Sequence, residues 1–265
     1  LGREGLLAAR GLERLASREG DRASLLESQL ALSTLVDRAE DRARCSVRAA
    51  ELILGQGGEG AESRAASLYE KALATDPDNE ASVIALERLL HNSPEILIDH
   101  FRVAQESATK DVQVAQLGRA IGESVMQTHA AGGPGLDAGV GIAAMRRALT
   151  KSPDDVPALL LMSRLQRAQR LFPDARDTLL HVIGVTQDAE ACTLAQFSLA
   201  DLYEGPLGRL DLAEASIQAI LATDGRNKRA LGRLFDVAKA RGDRALGIHA
   251  LACLVEAASH PTERT

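Results

Sequence analysis

The stretch Ala65-Ala66-Ser67-Leu68-Tyr69-Glu70-Lys71-Ala72-Leu73-Ala74-Thr75-Asp76-Pro77-Asp78-Asn79 decides the fold. Ala, Leu, Glu and Lys dominate its first part, and these residues lose least on entering a helix. Pro77 cannot continue that helix, and it pushes Asp76 out of the α region. An Asp or Asn after it can cap a new helix by accepting its free N–H groups. The stretch therefore reads helix, tight turn, next helix. The same reading fits Ala143-Ala144-Met145-Arg146-Arg147-Ala148-Leu149-Thr150-Lys151-Ser152-Pro153-Asp154-Asp155. It also fits Ala213 to Asn227, where Gly225 stands in the place of Pro.

The spacing is regular. Pro77 and Pro153 lie 76 residues apart, which is two units of 38, and Gly225 to Ser259 spans 34. Ala65, Tyr69, Ala72 and Pro77 match the second half of a tetratricopeptide (TPR) repeat. Leu159, Met162, Ser163, Ala175, Leu179 and Val182 match most of one unit, and Leu199, Ala200, Tyr203, Ala213, Ile217 and Ile220 match another. Leu231, Leu234, Gly247, Leu251 and Leu254 match the last, while Leu117, Gly118 and Ile121 supply a first helix that pairs with Ala148. The chain thus resembles the TPR family, weakly before about residue 60. The large first-helix aromatic of the family is absent, and Glu80 to Thr109 keeps little beyond apolar spacing.

The resemblance implies an all-α fold, a right-handed α-α superhelix (solenoid) of about seven TPR-like helix-turn-helix repeats. The expected helix pairs are 2–18 with 21–37, 39–55 with 60–75, 79–92 with 94–108, and 110–130 with 136–151. Then come 155–170 with 173–186, 188–204 with 209–223, and 227–241 with 243–258. One repeat cannot bury its apolar face alone, so stacking supplies the core. Residues 1–265 are expected to form a single TPR-like domain. Because the chain starts at Leu1, it reads as a fragment of a longer protein.

Composition agrees with helices and narrows function. Apolar residues make up 45% of the chain but aromatic ones only 2%, with no Trp. Strands want β-branched and aromatic residues, and single-stranded nucleic acid wants stacking platforms. A net charge of -6 argues against a general phosphate-binding surface. The expectation is no nucleic acid. No apolar run reaches membrane-helix length, so no membrane insertion is expected, and no signal peptide is visible. Cys45, Cys192 and Cys253 are widely spaced, without C-x-x-C, and read as small buried hydrophobes. That favours a reducing, cytoplasmic compartment.

Several stretches imitate chemistry. Gly55-x-Gly57-x-x-Gly60 has dinucleotide-loop spacing, with Glu80 twenty residues on. Such a site needs a strand on both sides. Leu52-Ile53-Leu54 instead continues a helical run, and Ser82 to Leu90 is again helix-patterned, so the glycines read as an inter-helix turn. Gly132-Gly133-Pro134-Gly135 lacks Gly-Lys-Ser/Thr and reads as a turn inside one repeat. His91, His100, His129, His181, His249 and His260 form no H-E-x-x-H, and no Ser lies in G-x-S-x-G. The expectations are no catalytic residues, no metal and no cofactor.

The resemblance also implies that first helices line a concave groove. Its candidate contacts are Arg88, His91 and Asn92 in the third unit, Arg164 and Arg167 in the fifth, Asp201 and Glu204 in the sixth, and Asp236 and Lys239 in the seventh. This places a basic zone beside an acidic one. The positions of the family's carboxylate clamp carry Ala8, Leu12, Leu160 and Arg164, so no such clamp is expected. The functional expectation is a non-catalytic scaffold binding a protein or peptide partner through the groove. The alternative is a regulatory or sensor array attached to a catalytic domain absent from this chain.

Overall fold

A computed structural model describes residues 2–130 and 137–259. The Gly132–Gly135 turn and His260 lie outside them. The chain forms two compact units, Leu1–Pro153 and Asp154–Thr265. In the first, α1 (Gly2–Glu19) pairs with α2 (Arg22–Leu35) and α3 (Ala39–Gln56) with α4 (Ala61–Thr75). Then follow α5 (Glu80–Leu89), α6 (Pro94–Ser107), and the pair α7 (Asp111–Ala130) with α8 (Ala138–Lys151). The second unit pairs α9 (Val156–Ala168) with α10 (Phe172–Val185) and α11 (Ala189–Glu204) with α12 (Leu210–Thr223). Its last pair is α13 (Lys228–Arg241) with α14 (Arg244–Ser259). Every described element is a helix, and every bound lies within three residues of its expected place.

The three turns that defined the repeat behave alike. Asn79 Oδ1 accepts from Ser82 N at 2.9 Å, Asp155 Oδ1 from Ala158 N at 3.2 Å, and Asn227 Oδ1 from Ala230 N at 3.0 Å. Each satisfies an N–H that the first turn of a helix leaves free. Asp78 does something different. It reaches forward and accepts hydrogen bonds from Thr109 N, Thr109 Oγ1 and Lys110 N, which fastens the start of α7 to the turn after α4. Burial opposes the ionised Asp78 carboxylate, but these hydrogen bonds outweigh it and hold its pKa below the ordinary value.

A lowered folded pKa contributes stability above the unfolded value, and that contribution fades as pH falls through the folded one. Asp78→Ala is therefore expected to cost about 1 kcal/mol near neutral pH. The gap between parent and variant should close only below about pH 4. Urea unfolding across that range measures it, and a gap unaffected by acid would contradict the assignment.

The core follows the repeat. Ala65, Ala72, Ala175 and Ala213 are fully buried where helices cross. Gly118 on α7 faces Ala144 and Ala148 on α8, as the expected pairing requires. The third pair is irregular. Helices α5 and α6 scarcely touch, and α6 lies along α7 with an edge on α4. The turn from α3 to α4 places Gly57, Gly58 and Gly60 at φ of 69, 100 and 72°, where a Cβ is disfavoured. Helix flanks it on both sides, so no strand-loop-helix site exists there.

Three expectations need correction. His91 and Asn92 do not lie on a helix: α5 ends at Leu89, and the chain turns through Leu90 to Ser93 before Pro94 opens α6. Ser93 N donates to Leu90 O at 2.8 Å, so a tight turn replaces the helical ladder there. Leu251, matched to a core position, is 41% exposed, and Leu254 is only half-buried. Helices α2, α4, α10 and α12 are each covered by the first helix that follows, and none follows α14 among the described residues. Cys45, Cys192 and Cys253 are free thiols, but half-buried rather than buried.

Candidate functional site

On the second unit, α9, α11 and α13 carry most of the expected contacts. Arg164 is exposed and Arg167 half-buried on α9, and neither makes an ion pair among the described residues. Leu160, one turn before Arg164, lines a cleft of about 680 Å3 between α9 and α11, with Val156, Pro157, Ala191 and Leu194. An apolar hollow beside an uncommitted guanidinium is a common anchor arrangement in interfaces.

Asp201 and Glu204 are brought together, but not as free acids. Arg233 of α13 lies between them, with Nη1 donating to Asp201 Oδ1 and Nη2 to Glu204 Oε2, each at 2.6 Å. Burial works against the Arg233 charge, but the two carboxylates hold it protonated and raise its pKa. One turn earlier, Arg229 stacks over the Phe197 ring at 4.2 Å. The expected acidic zone is thus a bridge between first helices, with one of its two negative charges met by Arg233. Sequence reasoning missed Arg229, Arg233 and Phe197. The signal was Arg229/Arg233 at four-residue spacing, matching Phe197, Asp201 and Glu204 at four and three.

The remaining candidates disperse. Asp236 is exposed on α13, whereas Lys239 lines a cleft of about 390 Å3 between α13 and α14, with Phe235, Gly247 and Ile248. Arg88 is exposed on α5. His91 lines a small cleft of about 180 Å3 with Glu87 of α5 and Glu123 of α7. Burial, and then the Glu123 charge, push the Glu87 pKa upward, with Arg119 opposing.

A further basic concentration lies where no contact was expected. A cleft of about 610 Å3 between α1, α2 and α3 is lined by Arg14, Arg18, Arg22 and Arg48, with Glu13 and Glu51. The signal was again helical spacing, Arg14 and Arg18 on one face of a first helix.

Among the described residues, no group of three His, Cys, Asp or Glu could hold a metal ion. His100 pairs with Glu70 at 3.2 Å and His181 with Asp154 at 2.8 Å, each pair on its own. Burial, with Glu13 nearby, raises the Cys45 pKa, the reverse of what a reactive thiolate needs. Among the described residues, no helix is long and apolar enough to cross a membrane.

The chain is an all-α helical-repeat protein, and its relation to known proteins lies in that fold. No protein-family model and no curated protein matches it. Among solved structures, the C-terminal part of a TPR repeat-containing protein from Cytophaga hutchinsonii is similar over 83% of each chain, at 16% identity and a TM-score of 0.51. PilW, described as a widely conserved type IV pilus biogenesis factor, is 18% identical over 83% of this chain and 96% of its own, with a TM-score of 0.49. YrrB, described as a TPR protein with an unusual peptide-binding site, is 15% identical over 79% and 92%, with a TM-score of 0.44. The fold is that of a TPR-like helical repeat, and the first of these likenesses carries that statement; at such identity it speaks of fold alone.

Proposed function

We propose that the protein is a non-catalytic interaction scaffold that binds a peptide or protein partner along its first helices. The observation that carries this reading is the α9 surface: Arg164 and Arg167 make no ion pair among the described residues, and Leu160, one turn before Arg164, lines an apolar cleft with Leu194. An apolar side chain of the partner would fill the cleft, and a carboxylate would meet Arg164. Asp201, Glu204 and Arg233 act there as a preorganised polar wall, because their side chains are already fixed on one another. Asp236 extends that surface.

The test uses a partner recovered by affinity purification and identified, then titrated against purified protein. The double variant Arg164→Glu, Arg167→Glu is expected to bind it at least about tenfold more weakly. Arg146→Glu, an exposed position on the second helix α8, should leave binding unchanged. Equal binding by the double variant would remove the α9 surface from the site.

A further inference from the structure

The cleft between α1, α2 and α3 has a composition that says what it would hold. Four arginines and two glutamates line it, in a chain whose net charge is -6. Arg48 Nη1 lies 3.5 Å from Glu13 Oε1, which removes one charge of each sign. Arg14, Arg18 and Arg22 make no ion pair among the described residues. A local excess of unpaired guanidinium groups on an acidic protein invites an acidic ligand.

The acceptors in the cleft narrow the choice. Gln29 is 1% exposed and lines the cleft. Its Nε2 donates to Glu13 Oε1 at 2.9 Å, which fixes the orientation of the amide. Its Oε1 is then left without a hydrogen-bond partner. A buried polar atom left this way costs stability unless something supplies a donor. Glu51 adds a second acceptor at the cleft wall, and Leu25, Leu52 and Gly55 give it an apolar floor. A DNA backbone offers acceptors only, an RNA backbone adds a single donor per nucleotide in its 2′-hydroxyl, and no aromatic side chain lines the cleft to stack a base. A peptide offers both kinds of group: carboxylates for the arginines, and backbone N–H groups for Gln29 and Glu51. The volume of about 610 Å3 lies within the range of ordinary ligand pockets.

We propose that this cleft is a docking site for an acidic peptide segment, read through Arg14, Arg18 and Arg22 and through the free acceptor of Gln29. It rests on the scaffold reading and adds to it a second site, distinct from the α9 surface, with a ligand of stated chemistry. Gly55, the first glycine of the dinucleotide-like spacing, helps to form its floor.

The test is fluorescence anisotropy of a labelled, end-blocked hexaglutamate peptide titrated with the full chain at low salt, beside hexaglutamine. The parent is expected to bind hexaglutamate and not hexaglutamine, with affinity falling as salt screens the charges. The double variant Arg18→Glu, Arg22→Glu should weaken binding at least about tenfold. Both positions are exposed, so a circular-dichroism melt near that of the parent is expected; should the double variant melt early, Arg14→Gln gives the same reading with a smaller loss. Arg164→Glu, Arg167→Glu should retain hexaglutamate binding. Loss in that second variant alone, or no preference for hexaglutamate, overturns this site and leaves the scaffold reading standing. Displacement by inorganic phosphate or a uridine oligonucleotide as readily as by unlabelled hexaglutamate overturns the peptide assignment.

Discussion

Gly118→Ala is expected to lower the stability of the protein by about 1–3 kcal/mol, although Gly to Ala inside a helix ordinarily gains up to about 1 kcal/mol. The sign reverses because of what surrounds this glycine. A Cβ at Gly118 would stand 2.7 Å from Gln105 Nε2, 2.8 Å from Ala148 Cβ and 2.9 Å from Ala144 O. Two of these are atoms that cannot swing away, a backbone carbonyl and a Cβ on the facing helix α8. The third belongs to a buried glutamine whose Nε2 donates to Val114 O and Ala144 O, each at 3.0 Å. Moving it breaks both bonds in a site that water does not reach. Gly232 in α13 is the control, since a Cβ there meets nothing within 4 Å. Gly232→Ala should stabilise by about 0.5–1 kcal/mol. Denaturant unfolding of the two variants reports opposite signs if α7 and α8 pack as described. A gain at Gly118 would refute that packing.

Phe101→Ala is expected to cost more, about 3–5 kcal/mol. Phe101 is fully buried on α6, in the repeat whose sequence pattern is weakest. That repeat lacks a proper helix pair, because α5 is ten residues long and scarcely meets α6. Helix α6 instead lies along α7, and its ring is the largest fully buried side chain of the described residues. Removing it leaves a void among buried side chains such as Leu97 and Ile98, which close-packed surroundings fill only in part. Val103 on the same helix is 57% exposed, and Val103→Ala should stay within about 0.5 kcal/mol. Comparable losses at the two positions would mean that α6 is docked by another face.

Much of the fold was legible because its signals are local. Helix periodicity, the Pro or Gly at a turn and the Asn or Asp that caps the next helix all act within a few residues. Asn79, Asp155 and Asn227 could therefore be read from sequence and are found capping. Less local features were misread. Asp78 resembles another cap, yet its partners Thr109 and Lys110 lie more than thirty residues on. Asp201 and Glu204 read as an acidic zone beside a basic one, because no basic residue near them in sequence pairs with them. Arg233 does so from the next first helix, and only a long side chain across a stacked repeat makes that contact. The arginine cleft was missed for a related reason. Its walls come from three helices, and Arg14, Arg18 and Arg22 look like ordinary solvated positions until α3 is placed opposite them. Leu251 failed in the other direction, since its pattern is that of a core position and its cover is not among the described residues.

The scaffold reading is tested most directly by amide hydrogen exchange of the full chain with and without an identified peptide partner. Added protection is expected on the first helices, above all α9 around Arg164 and Arg167 and α11 around Leu194 and Asp201. Protection confined to the second helices α10, α12 and α14, with α9 and α11 unchanged, would contradict it.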